Sequence, residues 1–476
     1  MSEETLHSPG QSTAQPHVDP GDEGYSKSLK PRHVNMIAIG GAIGTGLFLG
    51  AGGRLAQAGP SLAIVYAVCG VFAFFVVRAL GELILYRPSS GAFVSYAREF
   101  MGEKGAFVAG WMYFLNWATT GIADITAIAL YAHYWSMFTA VPQWVLALAA
   151  LAVVLSLNLV SVKLFGEMEF WFAIIKVGAL LVFMGIAIFL LVTGQPIDGY
   201  IPGPQLITDN GGFFPNGLLP MIIVVQGIVF AYSAVELVGV AAGETENPAK
   251  VMPKAINSIM WRIGLFYVGS VILLAMLLPW NMFQKGESPF VTVLSSIGIP
   301  AVGDVMNLVV MTAALSSLNS GLYSTGRILR SMSAAGSAPK FAGLMNRNKV
   351  PYGGIMLTAA VCVLGVGLNY LVPATAFEIV LNFAAVAIIS TWCMIMVCHL
   401  LFVRKTQAGE LRRPLYRLPG TPVTQVATIG FLLGVGVLMW FDVPAGRVTL
   451  LCVPIIALAL VIGWFCVRKR VNTPSS

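Results

Sequence analysis

Long apolar runs, each broken off by charge, glycine or proline, set the rhythm of this chain. A helix rising about 1.5 Å per residue needs roughly 20 such residues to cross a hydrocarbon core of about 30 Å. Runs of that kind fall near residues 34–57, 60–86, 105–134, 143–162, 168–193 and 217–241, and again near 257–280, 302–334, 353–372, 376–403, 424–441 and 446–468. The pattern predicts an all-α polytopic membrane protein with about twelve transmembrane helices. The first 30 residues hold no apolar run that could serve as a cleaved leader; polar and rich in Ser, Gly, Pro and acid, they are expected to form a disordered cytoplasmic tail. Residues 31–470 form the expected membrane domain, and 471–476 a short cytoplasmic C-terminal tail.

Composition points the same way. Of the 476 residues, 57% are hydrophobic and 10% charged, against about 25% charged in soluble domains. The formal charge of +7 invites a nucleic-acid partner until its distribution is followed. If both termini are cytoplasmic, nearly every Lys and Arg outside the spans falls on the inner side, and the outer loops hold only Arg54, Lys285 and Arg447. That is the positive-inside pattern of a multi-pass protein of the cell membrane. It needs the lipid bilayer and no nucleic acid.

Backbone breaks inside a bilayer are tolerated only where protein or a polar cavity takes over the lost hydrogen bonds. The first span carries IGGAIGTGLFLGAGG, with four glycines at 40, 41, 44 and 46. Ten residues from Val34 bring a helix about 15 Å inward, to Ile43 and Gly44 near the midplane. The sixth span, VVQGIVFAYSAVELVGVAAGE, has its own cluster of small and polar residues around Ala231, Ser233, Ala234 and Glu236. Close helix packing explains either cluster alone. The pair in corresponding halves points instead to a transporter site between inverted repeats, 34–193 and 217–403, with two additional helices at 424–468.

Broken ends bring chemistry. The N–H groups at Gly44, Thr45 and Gly46 would offer a carboxylate the positive end of an outer half-helix. Carbonyls near Ala42 and from Phe230 through Ala231 to Ser233 would accept hydrogen bonds from an ammonium. Together they would read the zwitterion of an amino acid.

Ionisable residues within spans are functional candidates. Glu236 either binds substrate or a proton, or caps the broken sixth helix. Lys176 either snorkels to the cytoplasmic interface or faces the bundle core as a proton carrier. Asp124 lines the pathway or pairs with a local hydroxyl. Arg78 and Glu82, four residues apart, are expected to pair with each other. Ser316, Ser317, Asn319 and Ser320 serve as pathway polars or as bonds between helices. All six cysteines lie in apolar stretches without a CxxC pair, which favours packing roles. No metal-ligand spacing, Walker loop or grouped nucleophile, base and orienting residue appears, so neither a cofactor nor an enzyme is expected.

GGAIGTGLFLGAG, GELILYRPSSGAFVSYAREFMGEKGAFVAGWMYFLNW, VAAGETENPAKVMPKAIN and SSLNSGLYSTGRILRSMSAAGSAPKF together resemble the amino acid transporter branch of the amino acid-polyamine-organocation superfamily, from about residue 28 to 470. The resemblance implies a LeuT-like 5+5 inverted repeat and proton-coupled uptake of L-amino acids, with the proton gradient as driving force. It places the glycine motif on Gly41 to Gly46, the sixth-helix motif on Phe230 to Glu236, and a coupling lysine on Lys176. It departs at Ala234, where many members have glycine, and so implies less backbone opening there. Within the branch, ADITAIALYAHYW, LITDNGGFFPNGLLP and WRIGLFYVGSVILLAMLLPW are most similar to bacterial members that carry L-asparagine. Thr45, Asn116, Thr119, Asp124, Ser233 and Glu236 are candidates to recognise a carboxamide, which needs donors and acceptors. Aspartate, γ-aminobutyrate, an aromatic amino acid or a polyamine remain alternative cargoes, and a transport-inactive nutrient sensor an alternative role.

Overall fold

The computed structural model describes residues 32–33, 36, 43–89, 91–242, 245, 247–299, 301–373 and 376–471. The expected tail at 1–30 lies outside the described residues, as does 472–476 of the C-terminal one. Among the described residues all regular structure is helical apart from isolated bridge positions at Ile197, Tyr200 and Thr245, the first two paired with each other. The longer elements are α1 (Thr45–Phe48), α2 (Gly50–Ala58), α3 (Leu62–Tyr86), α4 (Ala92–Ala132), α5 (Gln143–Asn158), α6 (Val162–Thr193), α7 (Leu218–Ile223), α8 (Val225–Ala231) and α9 (Leu237–Ala242). They continue with α10 (Pro248–Arg262), α11 (Ser270–Leu277), α12 (Pro289–Ser296), α13 (Val302–Ala334), α14 (Tyr352–Leu371), α15 (Ala376–Gln407), α16 (Val423–Leu438) and α17 (Ala445–Val471).

Eight helical stretches among the described residues are long and apolar enough to cross a membrane, with two shorter apolar ones besides. The expectation of about twelve differs for identifiable reasons. Helix runs almost unbroken from Thr45 to Tyr86, where two spans were expected; the turn between them is tight because Gly59, at φ +64, reverses the chain directly before Pro60. The third expected span lies inside α4, whose polar residues dilute its hydropathy.

Local chemistry fixes the ends. Ser161, in extended backbone, accepts a hydrogen bond from the Leu164 N–H at 3.1 Å and starts α6 at Val162, ahead of the expected 168. Left-handed Gly194 closes it. In α4, Gly102 leaves helical geometry at φ +77 and divides an amphipathic entry turn from the apolar segment. That segment packs along both α13 and α15 to form the centre of the bundle. At the periphery, the most apolar stretch of α17 has none of its residues buried inside the protein. An apolar surface of that extent marks a face turned to lipid or to another protein.

The predicted Arg78–Glu82 pair does not form. Arg78 turns away to Asn257 on α10, 2.6 Å to its Oδ1, donates to the Arg417 carbonyl, and stacks on the Tyr416 ring. Glu82, fully buried, binds His399 Nε2 at 2.9 Å, the Arg413 guanidinium and the Leu418 N–H at 2.7 Å. Two residues one turn apart thus reach different partners, because the 408–422 loop delivers its own arginine and a free N–H to the carboxylate. A buried acid takes the site that meets more of its lone pairs.

Candidate functional site

The sixth expected span is interrupted, and in the first, α1 starts only at Thr45, residues 37–42 lying outside the described residues. Gly44 is extended (φ −135, ψ −163), and helical bonding begins beyond it, with the Phe48 N–H on the Gly44 carbonyl at 3.2 Å. On the other side, α8 ends at Ala231, α9 starts at Leu237, and a turn of five residues joins them. At the turn's centre Ala234 stands at φ +77. The backbone opens there despite the Cβ, contrary to the expectation drawn from the missing glycine. Left-handed geometry costs a non-glycine residue about 1–2 kcal/mol. Ala234→Gly is therefore expected to raise thermal stability by about 1 kcal/mol, measured as Tm in detergent; a lowered Tm would show the turn gains nothing from relief of that strain.

The helix ends beside these positions touch. A Cβ built on Gly46 would lie 2.9 Å from that of Ala231 and collide with its Cα. A cavity of about 20 Å³ opens beside the contact, lined by Gly44, Thr45, Gly46, Phe230, Ala231 and Ser233, all expected from sequence, together with Thr120, Ala234 and Ser317. It has room for about one water, so the walls must separate before an amino acid can enter. Two of the carbonyls expected to be free are engaged: Phe230 accepts from the Ser233 N–H at 2.9 Å, and Ala231 from the Tyr267 hydroxyl at 3.1 Å. Tyr267 reaches it from a π-helical segment, Ile263–Gly269, whose extra residue per turn shifts side chains out of α-helical register. Ala42 lies outside the described residues, as do Gly40 and Gly41.

Behind the cavity Thr45 Oγ1 donates to Asp124 Oδ1 at 3.0 Å, which favours the local-hydroxyl reading of Asp124 while keeping it one side chain from the cavity. Glu236 is buried and accepts from Trp392 Nε1 at 3.3 Å. Ile43, Asn116 and Glu236 do not line the cavity. Several buried atoms around it have no hydrogen-bond partner: both amide atoms of Asn116, Thr120 Oγ1, Asp124 Oδ2 and Glu236 Oε1. Each costs about 1–3 kcal/mol unless something meets it. Asn116, Thr120 and Asp124 sit at i, i+4 and i+8 on one face of α4. That spacing could have revealed Thr120 from sequence.

Lys176 does not snorkel. It is 1% exposed and donates to Ser316 Oγ at 3.0 Å. Ser316 donates in turn to Glu169 Oε2 at 2.8 Å, and Asn319 Nδ2 to Glu169 Oε1 at 2.8 Å. Asn158 then holds Asn319 through its carbonyl and side chain, at 2.8 Å each. Lys176 also interacts electrostatically with Asp124, which links this network to the cavity. Glu169 was not singled out in the sequence, because a helix starting near 168 would leave it at the membrane edge.

The fold and site define a polytopic helical membrane protein with a small polar cavity where the start of α1 meets the end of α8. The chain belongs to the amino acid permease family, whose model matches residues 33–474. It is 71% identical over 461 residues to an L-asparagine permease of Streptomyces coelicolor, covering 97% of this chain and 94% of the relative. It is 60% identical over 472 residues to an L-asparagine permease of Salmonella typhimurium (99% and 95%), and 61% over 450 residues to that of Escherichia coli K12 (94% and 90%).

Proposed function

We propose that this protein is a secondary active permease that brings L-asparagine into the cell across the cytoplasmic membrane, together with protons. The observation that supports the reading is the contact of two helix ends, at Gly46 just after extended Gly44 and at Ala231 just before the turn at Ala234, beside a polar cavity. Uptake of asparagine accords with the L-asparagine permeases that the chain resembles. In this reading both termini are cytoplasmic, the chain crosses about twelve times, and 34–193 and 217–403 form two inverted repeats.

The N–H groups of Thr45 and Gly46, ahead of the first full helical bond, hold the substrate carboxylate. Ser233 and the turn carbonyls hold its ammonium. The unpartnered amide of Asn116 offers a donor and an acceptor to the carboxamide, with Thr120 beside it on the same helix face. Aspartate cannot donate to Asn116 Oδ1, and a site built to hydrogen-bond a group rejects an analogue lacking it. Asp124, bonded to Thr45 behind the cavity, and Glu236, beyond its lining, flank the site, and Lys176 with Glu169 carries the proton.

Counterflow in liposomes of purified protein tests this. Labelled L-asparagine should accumulate against unlabelled L-asparagine, and unlabelled aspartate, γ-aminobutyrate, aromatic amino acids and polyamines should compete poorly. Absence of counterflow would leave the sensor reading in its place.

A further inference from the structure

The one arginine expected in the first outer loop is not at the surface. Arg54 is 8% exposed, its Nη1 has no hydrogen-bond partner, and no acid pairs with it among the described residues. Two glycines cradle its guanidinium: a Cβ at Gly50, one turn before it, or at Gly227 on α8 would collide with the guanidinium. Burying a cation with no acid in ion-pair contact costs up to several kcal/mol. Such a position persists when something negative visits it.

The surroundings say what could visit. Arg54 lines a cavity of about 30 Å³ together with Gln226, Asn382, Glu378 and Asp442. Gln226 Oε1 and Asn382 Oδ1 are also buried and unpartnered, while Gln226 Nε2 donates to Asp442 at 3.2 Å. Through Gly53, Gln57, Lys285 and Asp442 the cavity joins a wider mouth of about 450 Å³, within the usual 300–1,000 Å³ of small-molecule sites. Lys285 belongs to the outer loops of the expected topology, which puts the mouth on the extracellular side, whereas Arg413 and Arg417 gather at the opposite end.

We propose that this vestibule is a second amino acid site, in which Arg54 binds the α-carboxylate of the incoming substrate before it reaches the cavity between Gly46 and Ala231. Glu378 and Asp442 take the ammonium, and the Gln226 and Asn382 amide oxygens accept hydrogen bonds from the side-chain carboxamide. The inference rests on the proposed function and adds an entry station to it. An inorganic anion such as chloride offers the same charge to Arg54, so the test separates the two.

Equilibrium binding of labelled L-asparagine to the protein in nanodiscs, run in chloride and in gluconate, reads the stoichiometry. Wild type should bind two per chain, Arg54→Gln one, Gly46→Val one, and the double variant none, in either buffer. In liposome uptake Arg54→Gln should raise KM about tenfold while kcat changes less than about twofold, a shift worth about 1.4 kcal/mol. Should Arg54→Gln fail to fold, Gln226→Ala and Asn382→Ala keep the question answerable, each weakening the outer site alone. Two sites retained in Arg54→Gln, or none in Gly46→Val, overturns the inference. So does loss in Arg54→Gln of a chloride effect with asparagine stoichiometry intact. Wild-type counterflow stands or falls separately, so failure of the vestibule and failure of the permease reading remain distinguishable.

Discussion

Gly46→Val should abolish L-asparagine uptake while the protein still reaches the membrane. The Gly46 Cα meets the Ala231 backbone where the ends of α1 and α8 cross, so a branched side chain has nowhere to go. Overpacking costs about 1–3 kcal/mol, which a bundle of this size can survive. The displaced helices, however, are those that shape a cavity of about 20 Å³, and a shift on the scale of one methyl group removes it. Gly44 makes the contrast. No atom lies within 4 Å of a Cβ built there, and its extended backbone suits any residue. Gly44→Ala should therefore fold normally and lose only part of its uptake, about tenfold, because its methyl enters open space beside the cavity (about 1.4 kcal/mol per tenfold). Labelled uptake normalised to membrane-inserted protein measures both. Equal rates for Gly46→Val and wild type would mean that this crossing does not form the substrate site.

The contrast also shows where sequence reasoning ends. Glycines at the membrane midplane announced a break, because a helix in lipid has few reasons to carry so many. Composition could not say which glycine lies against a neighbour and which faces open space, since both look alike until a second helix is placed. Ala234 shows the limit from the other side. Its side chain argued for helical backbone, yet it stands left-handed at φ +77, at a local cost that the surrounding structure must offset.

Charge was legible in sign more than in partnership. The asymmetry of Lys and Arg agrees with the clusters that the fold assembles: Arg54 and Lys285 line one vestibule, and Arg413 and Arg417 meet α3 at the other end. The helical spacing of Arg78 and Glu82 suggested a pair, and a distant loop outbid it on both sides. Glu169 escaped notice for a single reason, the position of one cap. With Ser161 holding the Leu164 N–H, α6 begins early enough to bury Glu169 two turns below Lys176 on the same face.

That pairing sets the second large effect expected: Lys176→Ala should remove the pH response of uptake. In wild type, uptake should accelerate with an inward pH gradient and collapse with a protonophore. Ser316 stands between the two groups, accepting from Lys176 at 3.0 Å and donating to Glu169 at 2.8 Å. One hydroxyl can therefore pass a proton between carboxylate and amine by exchanging its own, so the pair gains one proton in going from amine and carboxylate to ammonium and carboxylate, and gives it up in the reverse step. Remove the lysine, and Glu169 keeps its hydrogen bonds from Ser316 and Asn319 but loses the cation that offsets its buried charge. Breaking such a pair costs about 3–5 kcal/mol, so the single variant should also be less stable. Lys176→Ala with Glu169→Gln separates the two losses. The neutral amide can still accept from Ser316 and no longer needs a counter-charge, so thermal stability should return while uptake stays flat between acidic and neutral external pH. Recovery of stability and pH response together would assign the pair to packing alone. A sodium gradient that drives wild-type uptake in place of protons would dismiss the relay altogether.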